Sequence, residues 1–151
     1  ASAPPAGPQP RPFPAALAES VKGAVSSCLN VCGFVLFFCV VTALLDRAGI
    51  FSSAAGELSA RTGASLSFTR ALLTGLLELG GGIGAMRGLA VLPENLALCS
   101  FLLGFGGLSV HCQTLSVLEG TDMKCARHFA GRILHALISA LFTFVAASVF
   151  F

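Results

Sequence analysis

Residues 23–45 run without a single charged side chain, between Lys22 on one side and Asp46 and Arg47 on the other. As a helix such a stretch reaches ~35 Å at 1.5 Å per residue, enough to cross a hydrocarbon core of ~30 Å. In hydrocarbon every unpaired peptide group costs several kcal/mol, so the local solution open to this segment is a helix that pairs its own N–H and C=O groups. This is a transmembrane helix, expected over 22–45.

The composition agrees. Only 11% of the chain is charged and 55% is hydrophobic, with a mean hydropathy of +0.86, against roughly 25% charged in a soluble domain. A chain of 151 residues cannot hide that much apolar surface in one core. An ordinary soluble enzyme domain is thereby excluded. The net charge of +2 is too small, and its Lys and Arg too scattered, for a nucleic-acid surface. The expected class is an all-α integral membrane protein, multi-pass in the cell membrane, with the lipid bilayer as its first partner. Trp and Tyr are absent while Phe occurs thirteen times, which departs from the usual aromatic belt.

Residues 1–14 hold six of the seven prolines, a composition that favours extended, semi-rigid spacers. Residues 1–19 read as a Pro/Ala-rich linker or tail. No basic-then-apolar pattern marks a signal peptide, and the chain reads as a piece of a longer one. Cys28, Cys32, Cys39, Cys99, Cys112 and Cys125 form no CxxC pair. Cys28, Cys32 and Cys39 share a helix face, where Cys packs as a small apolar residue. No metal site and no cofactor are expected.

A loop is expected over 46–65, with a short interfacial helix in its middle. Residues 71–86 are too short to span and carry Glu78, then Gly80, Gly81, Gly82 and Gly84. Each glycine in a helix interior costs ~1 kcal/mol relative to Ala, so the helix should stop and turn there. A re-entrant hairpin over 66–92 follows. Pro93, Glu94 and Asn95 begin the next segment, 95–118, interrupted by Gly104, Gly106 and Gly107 and followed at once by Ser109, His111 and Gln113. This is a glycine-broken helix. A closing helix is expected over 126–151, where His128, Arg132, His135, Ser139 and Thr143 recur at helical spacing and should face protein or water.

If all four segments cross, Lys and Arg divide six to three between the two sides; with a hairpin at 66–92 they divide five to four. The positive-inside rule prefers four crossings. A mid-segment Glu followed by three glycines prefers the hairpin, which is the reading adopted.

Irregular backbone inside an apolar segment is tolerated only where protein or a wet cavity satisfies it, and paired broken segments with polar tips point to a transporter site near the midplane. The candidate substrate- or ion-binding residues are Glu78, Gly80, Gly81, Gly82, Gly104, Gly106, Gly107, Ser109, His111 and Gln113. Asn30, Arg132 and His135 form a secondary set. Glu78 is the sharpest, since a carboxylate in a membrane segment costs ~2.5–3.5 kcal/mol. It suits proton coupling or solute binding; the structural alternative is an ion pair with Arg87 or Arg132. Asn30 reads as an interhelical hydrogen bond before a site contact. No GxSxG, HExxH or Walker motif is present, and no catalytic residue is assigned.

The stretches LLTGLLELGGGIGAMRGL (72–89), CSFLLGFGGLSVHCQTLSVLEGTD (99–122) and GRILHALISALFTF (131–144) resemble the C-terminal part of YlbJ-type sporulation integral membrane proteins, within the nucleoside-recognition or Gate-domain group. The likeness covers roughly residues 20–150, and the GFGGLSVHxQ core is its most specific piece. It implies re-entrant hairpins beside broken helices, often as two related halves, with this chain as the second. It also implies solute movement during spore formation, with dipicolinate as the leading case. The implied partners are an N-terminal half, in the same or another chain, and a small anionic solute; a second copy of the chain is a further candidate. The six cysteines and the Pro/Ala-rich tail depart from the common pattern. A non-transporting structural or assembly subunit is the alternative function.

Overall fold

The computed structural model describes residues 12–122 and 125–150. Among them the chain forms seven helices and no strand: α1 (Phe13–Arg47), α2 (Ile50–Thr62), α3 (Leu66–Leu77), α4 (Leu79–Ala85), α5 (Pro93–Phe105), α6 (Gly107–Leu118) and α7 (Cys125–Phe150). Three stretches are long and apolar enough to cross a membrane: α1, the α5–α6 pair and α7. The protein is an all-α, multi-pass integral membrane protein.

The first helix starts well before residue 22. It begins at Phe13, with Pro12 in the cap position and Pro14 in the first turn, where a missing N–H removes no helical bond. Only residues 1–11 of the expected linker lie outside the described residues. Glu19 and Lys22 are unwelcome in hydrocarbon but good helix formers, so they limit membrane insertion without ending the helix. At 35 residues α1 is ~52 Å long and extends beyond what a bilayer core requires. The short helix expected within the 46–65 loop is α2, longer than expected at 13 residues, and its Phe51 and Ala55 are buried. The closing helix matches its expected position to within a residue at Cys125; Phe151 lies outside the described residues.

Residues 66–92 do not form one straight helix. In a continuous helix Gly75 and Gly82 would stand about 10.5 Å apart. Here a Cβ built on Gly82 would lie 2.2 Å from the Gly75 Cα and 3.2 Å from the Ala71 carbonyl oxygen, so α4 folds back along α3 with the backbones touching. The reversal is not made by the glycines. Glu78 makes it, in an extended conformation at φ −140° and ψ 118°, and Gly80, Gly81, Gly82 and Gly84 are helical within α4. Their lack of side chains lets α4 lie flat on α3.

Leu102 fills the space beside Gly75, at 2.6 Å from where a Cβ would be, and Ala71, Leu98 and Leu102 form the buried core with Leu72, Leu79 and Ile83 packed around it. Phe68 and Leu72 line one groove with Glu94, Leu98 and Phe101, and Gly75 meets Leu102, so α3 and α5 run parallel. Residues 86–92 therefore return the chain to the end from which α3 set out. Against α5, α7 runs antiparallel: the Ser100 and Thr143 hydroxyls share a 2.7 Å hydrogen bond, and Gly104 admits the Ala136 backbone at 2.8 Å from a built Cβ. Large apolar side chains on α1 and α7, such as Leu36, Phe37, Leu141 and Phe142, remain exposed, as expected of faces turned to lipid.

Candidate functional site

The two interruptions in the sequence, near 78 and near 106, meet in space. Between α5 and α6, Gly106 (φ 89°) and Gly107 (φ 75°) adopt left-handed conformations that strain any residue with a Cβ. A Cβ on Gly107 would stand 2.9 Å from the Gly75 carbonyl oxygen, 3.1 Å from the Leu79 nitrogen and 3.3 Å from the Leu77 carbonyl oxygen. The α5–α6 break thus sits directly on the α3–α4 turn. Helix ends leave their terminal N–H and C=O groups without helical partners, so this junction gathers four helix ends in the interior of an apolar protein.

Glu78 occupies the junction, 6% exposed. Its carboxylate accepts the Gly80 N–H at 2.8 Å and the Gly81 N–H at 2.5 Å, capping α4. Neither Arg87 nor Arg132 pairs with it: the Arg132 Nε donates to the Phe105 carbonyl at 3.3 Å, satisfying an orphan acceptor at the end of α5. A net charge buried without a counter-charge is costly in a membrane. Beside Glu78 opens a cavity of about 290 Å³ between α1, α3 and α4, lined by Cys39, Thr42, Thr74 and Gly81 and bounded by the Asp46–Arg70 ion pair. The Cys39 thiol lies 4.0 Å from the Glu78 Oε2. The Thr42 hydroxyl is buried and has no hydrogen-bond partner among the described residues.

The residues after the second break separate by face. Ser109 is 1% exposed and its hydroxyl accepts from the Gln113 Nε2 at 3.2 Å. Gln113 also borders a second cavity of about 300 Å³ with Ser27 and Asn30. Asn30 donates to the Ser116 Oγ at 2.8 Å, tying α1 to α6, and Ser116 in turn donates to the Gln113 carbonyl at 2.8 Å. His111 does not join Gln113 in one polar cluster. It faces α7, its ring centroid 4.4 Å from Phe129, 4.8 Å from Phe105 and 5.9 Å from His128. Residues two apart on a helix point ~200° apart, which is the physical reason for the split.

Within the secondary set, Arg132 reaches the junction through Phe105 and stands 2.7 Å from where a Gly106 Cβ would be. His135 does not come in; it is exposed on α7. Gly104 serves the α5–α7 contact rather than the junction. Missed in the sequence were Thr42, Thr74 and the Asp46–Arg70 bridge. A signal existed for part of it: Cys39, Thr42 and Asp46 lie at positions i, i+3 and i+7 of one helix, a shared face that alone does not say which helix covers it.

No protein-family model matches the chain, and no solved structure matches it. The chain is 30% identical over 140 residues to the sporulation integral membrane protein YlbJ of Bacillus subtilis strain 168, an alignment covering 87% of the chain and 33% of that relative. The chain thus spans about a third of the length of the curated relative it matches.

Proposed function

We propose that this relative of the sporulation integral membrane protein YlbJ forms part of a transporter or permease that moves a small polar or anionic solute past the junction of its two interrupted helices. One observation carries the reading: the Gly106–Gly107 break lies so close to the α3–α4 turn that a Cβ built on Gly107 would stand 2.9–3.3 Å from backbone atoms of Gly75, Leu77 and Leu79, beside a buried carboxylate and an open cavity. Irregular backbone at that depth fits a lining for a solute path better than a plain helical bundle. In this reading α3 and α4 form a re-entrant hairpin whose tip is Glu78. The solute contacts are the helix ends of the junction, Glu78, Ser109 and Gln113. The kinship with a sporulation protein makes dipicolinate the first solute to test, and nucleosides the second. The reading assigns no catalysis, cofactor or metal, and takes the remainder of a longer protein, or a second copy, to complete the path.

A second reading has its own support. The Glu78 carboxylate is engaged in capping α4 and the Asn30 amide in tying α1 to α6, as in a structural or assembly subunit that moves nothing.

Transport by the full-length protein in sealed vesicles separates the two. Glu78→Gln keeps an oxygen to cap α4 but removes the charge. The transport reading expects solute-specific uptake or efflux in the parent and a loss of at least tenfold in Glu78→Gln and Ser109→Ala at unchanged protein yield. Parent-level transport in both variants would remove the junction as the site. Reduced yield without any solute-specific effect would favour the assembly subunit.

A further inference from the structure

His111 is 4% exposed, and among the described residues neither its Nδ1 nor its Nε2 has a hydrogen-bond partner. A buried histidine is ordinarily satisfied by a neighbour. Here its neighbours are the rings of Phe105, Phe129 and His128, of which the two phenyl rings offer no conventional acceptor. Leaving such a group unpaired incurs its full desolvation penalty. The ring lies at the wall of a groove of about 520 Å³ between α6 and α7, whose other walls are Leu108, Leu115, Phe129, Ile133 and small residues. An apolar groove of this size with one or two convergent polar groups is the ordinary form of a small-molecule site.

Charge narrows the occupant. The ionisable groups acting on the His111 ring are His128 and Arg132, and His128 shares the groove lining. Among the described residues no Asp or Glu lines it. A ligand suited to this surface has an apolar body and an acidic head.

We propose that the α6–α7 groove binds a small amphipathic carboxylate, its body against Leu108, Leu115, Phe129 and Ile133 and its head group on the His111 imidazole. This site lies on the opposite face of α6 from Ser109 and Gln113 and does not depend on the transport reading. His111 supplies an N–H to a carboxylate oxygen, and the nearby Arg132 guanidinium favours the negative charge. Selectivity then comes from the head group, while the apolar walls accept bodies of varied shape.

The test uses the whole protein in vesicles of neutral lipid, with a photoreactive medium-chain fatty acid as probe. Labelling should saturate, map to residues 108–133, and be competed by the unlabelled acid far better than by the alcohol of equal chain length. His111→Phe should weaken labelling by about tenfold or more, and His111→Gln, which retains an N–H donor, by less. Leu115→Trp, which fills the groove without altering His111, should block labelling and guards against a misfolded His111 variant. Labelling that rises without saturation, that acid and alcohol compete equally, or that survives both His111→Phe and Leu115→Trp would overturn the proposal and leave the groove as a place for bulk lipid chains.

Discussion

Alanine at Gly107 should be among the most damaging single-methyl additions this chain can receive, and the structure separates the reasons. Gly107 sits at φ 75°, where a Cβ costs roughly 1–2 kcal/mol. The added Cβ also meets backbone atoms of the α3–α4 turn at 2.9 and 3.1 Å, and overpacking of that kind costs typically about 1–3 kcal/mol. The expected loss is about 2–5 kcal/mol. Gly49 is the control for strain alone: its φ is 75° but nothing lies within 4 Å of a built Cβ, so Gly49→Ala should lose only ~1–2 kcal/mol. Gly33 is the control for neither: it is helical and open, and Gly33→Ala should gain up to ~1 kcal/mol from helix propensity. Reversible unfolding in mixed detergent micelles, followed by circular dichroism, measures all three. If Gly107→Ala falls within ~0.5 kcal/mol of Gly49→Ala, the two helix breaks are not in contact. The junction would then not exist.

Three further outcomes follow from the packing. Gly82→Ala brings a methyl to 2.2 Å from the Gly75 Cα, a backbone atom that cannot swing aside, so it should lose about 1–3 kcal/mol or more in the same unfolding assay; a neutral result would contradict the fold-back of α4 on α3. Glu78→Ala removes both acceptors for the Gly80 and Gly81 N–H groups and should cost ~0.5–2 kcal/mol, with Glu78→Gln costing less; equal losses would mean that the cap does not hold α4. A double-mutant cycle on Ser100→Ala and Thr143→Ala should return a coupling of about 0.6 kcal/mol, and no more than ~1.7, for their shared hydrogen bond. Zero coupling would show that α5 and α7 do not meet at that level.

Where the sequence spoke clearly, it spoke through single-element physics. Uncharged segments of sufficient length marked the membrane crossings, because peptide groups in hydrocarbon must pair within their own helix. Gly106 beside a polar segment marked a break, because only glycine accepts the left-handed geometry without strain. The interruption near residue 78 is legible as a place where one helix cannot continue, yet composition points to the glycines as the turn. The structure puts it one step earlier, at Glu78, since a side chain that can cap the next helix's N–H groups makes a better reversal than residues that merely lack one. Hydropathy likewise placed the start of α1 too late, because it reports where hydrocarbon ends and not where helix ends.

By itself, then, the sequence determined the membrane class, the number of long apolar helices and the two positions at which the chain breaks; each is a property of a contiguous segment. Only the tertiary structure decided that the breaks meet, that Glu78 caps its own helix instead of pairing with an arginine, and that His111 turns from Gln113 toward α7. Those facts depend on which helix faces which. Facing is set by close approaches such as Gly82 on Gly75 and Gly104 on Ala136, contacts between residues 7 and 32 positions apart that no local spacing rule encodes. Missing side chains allow two helices to touch, but they do not name the partner.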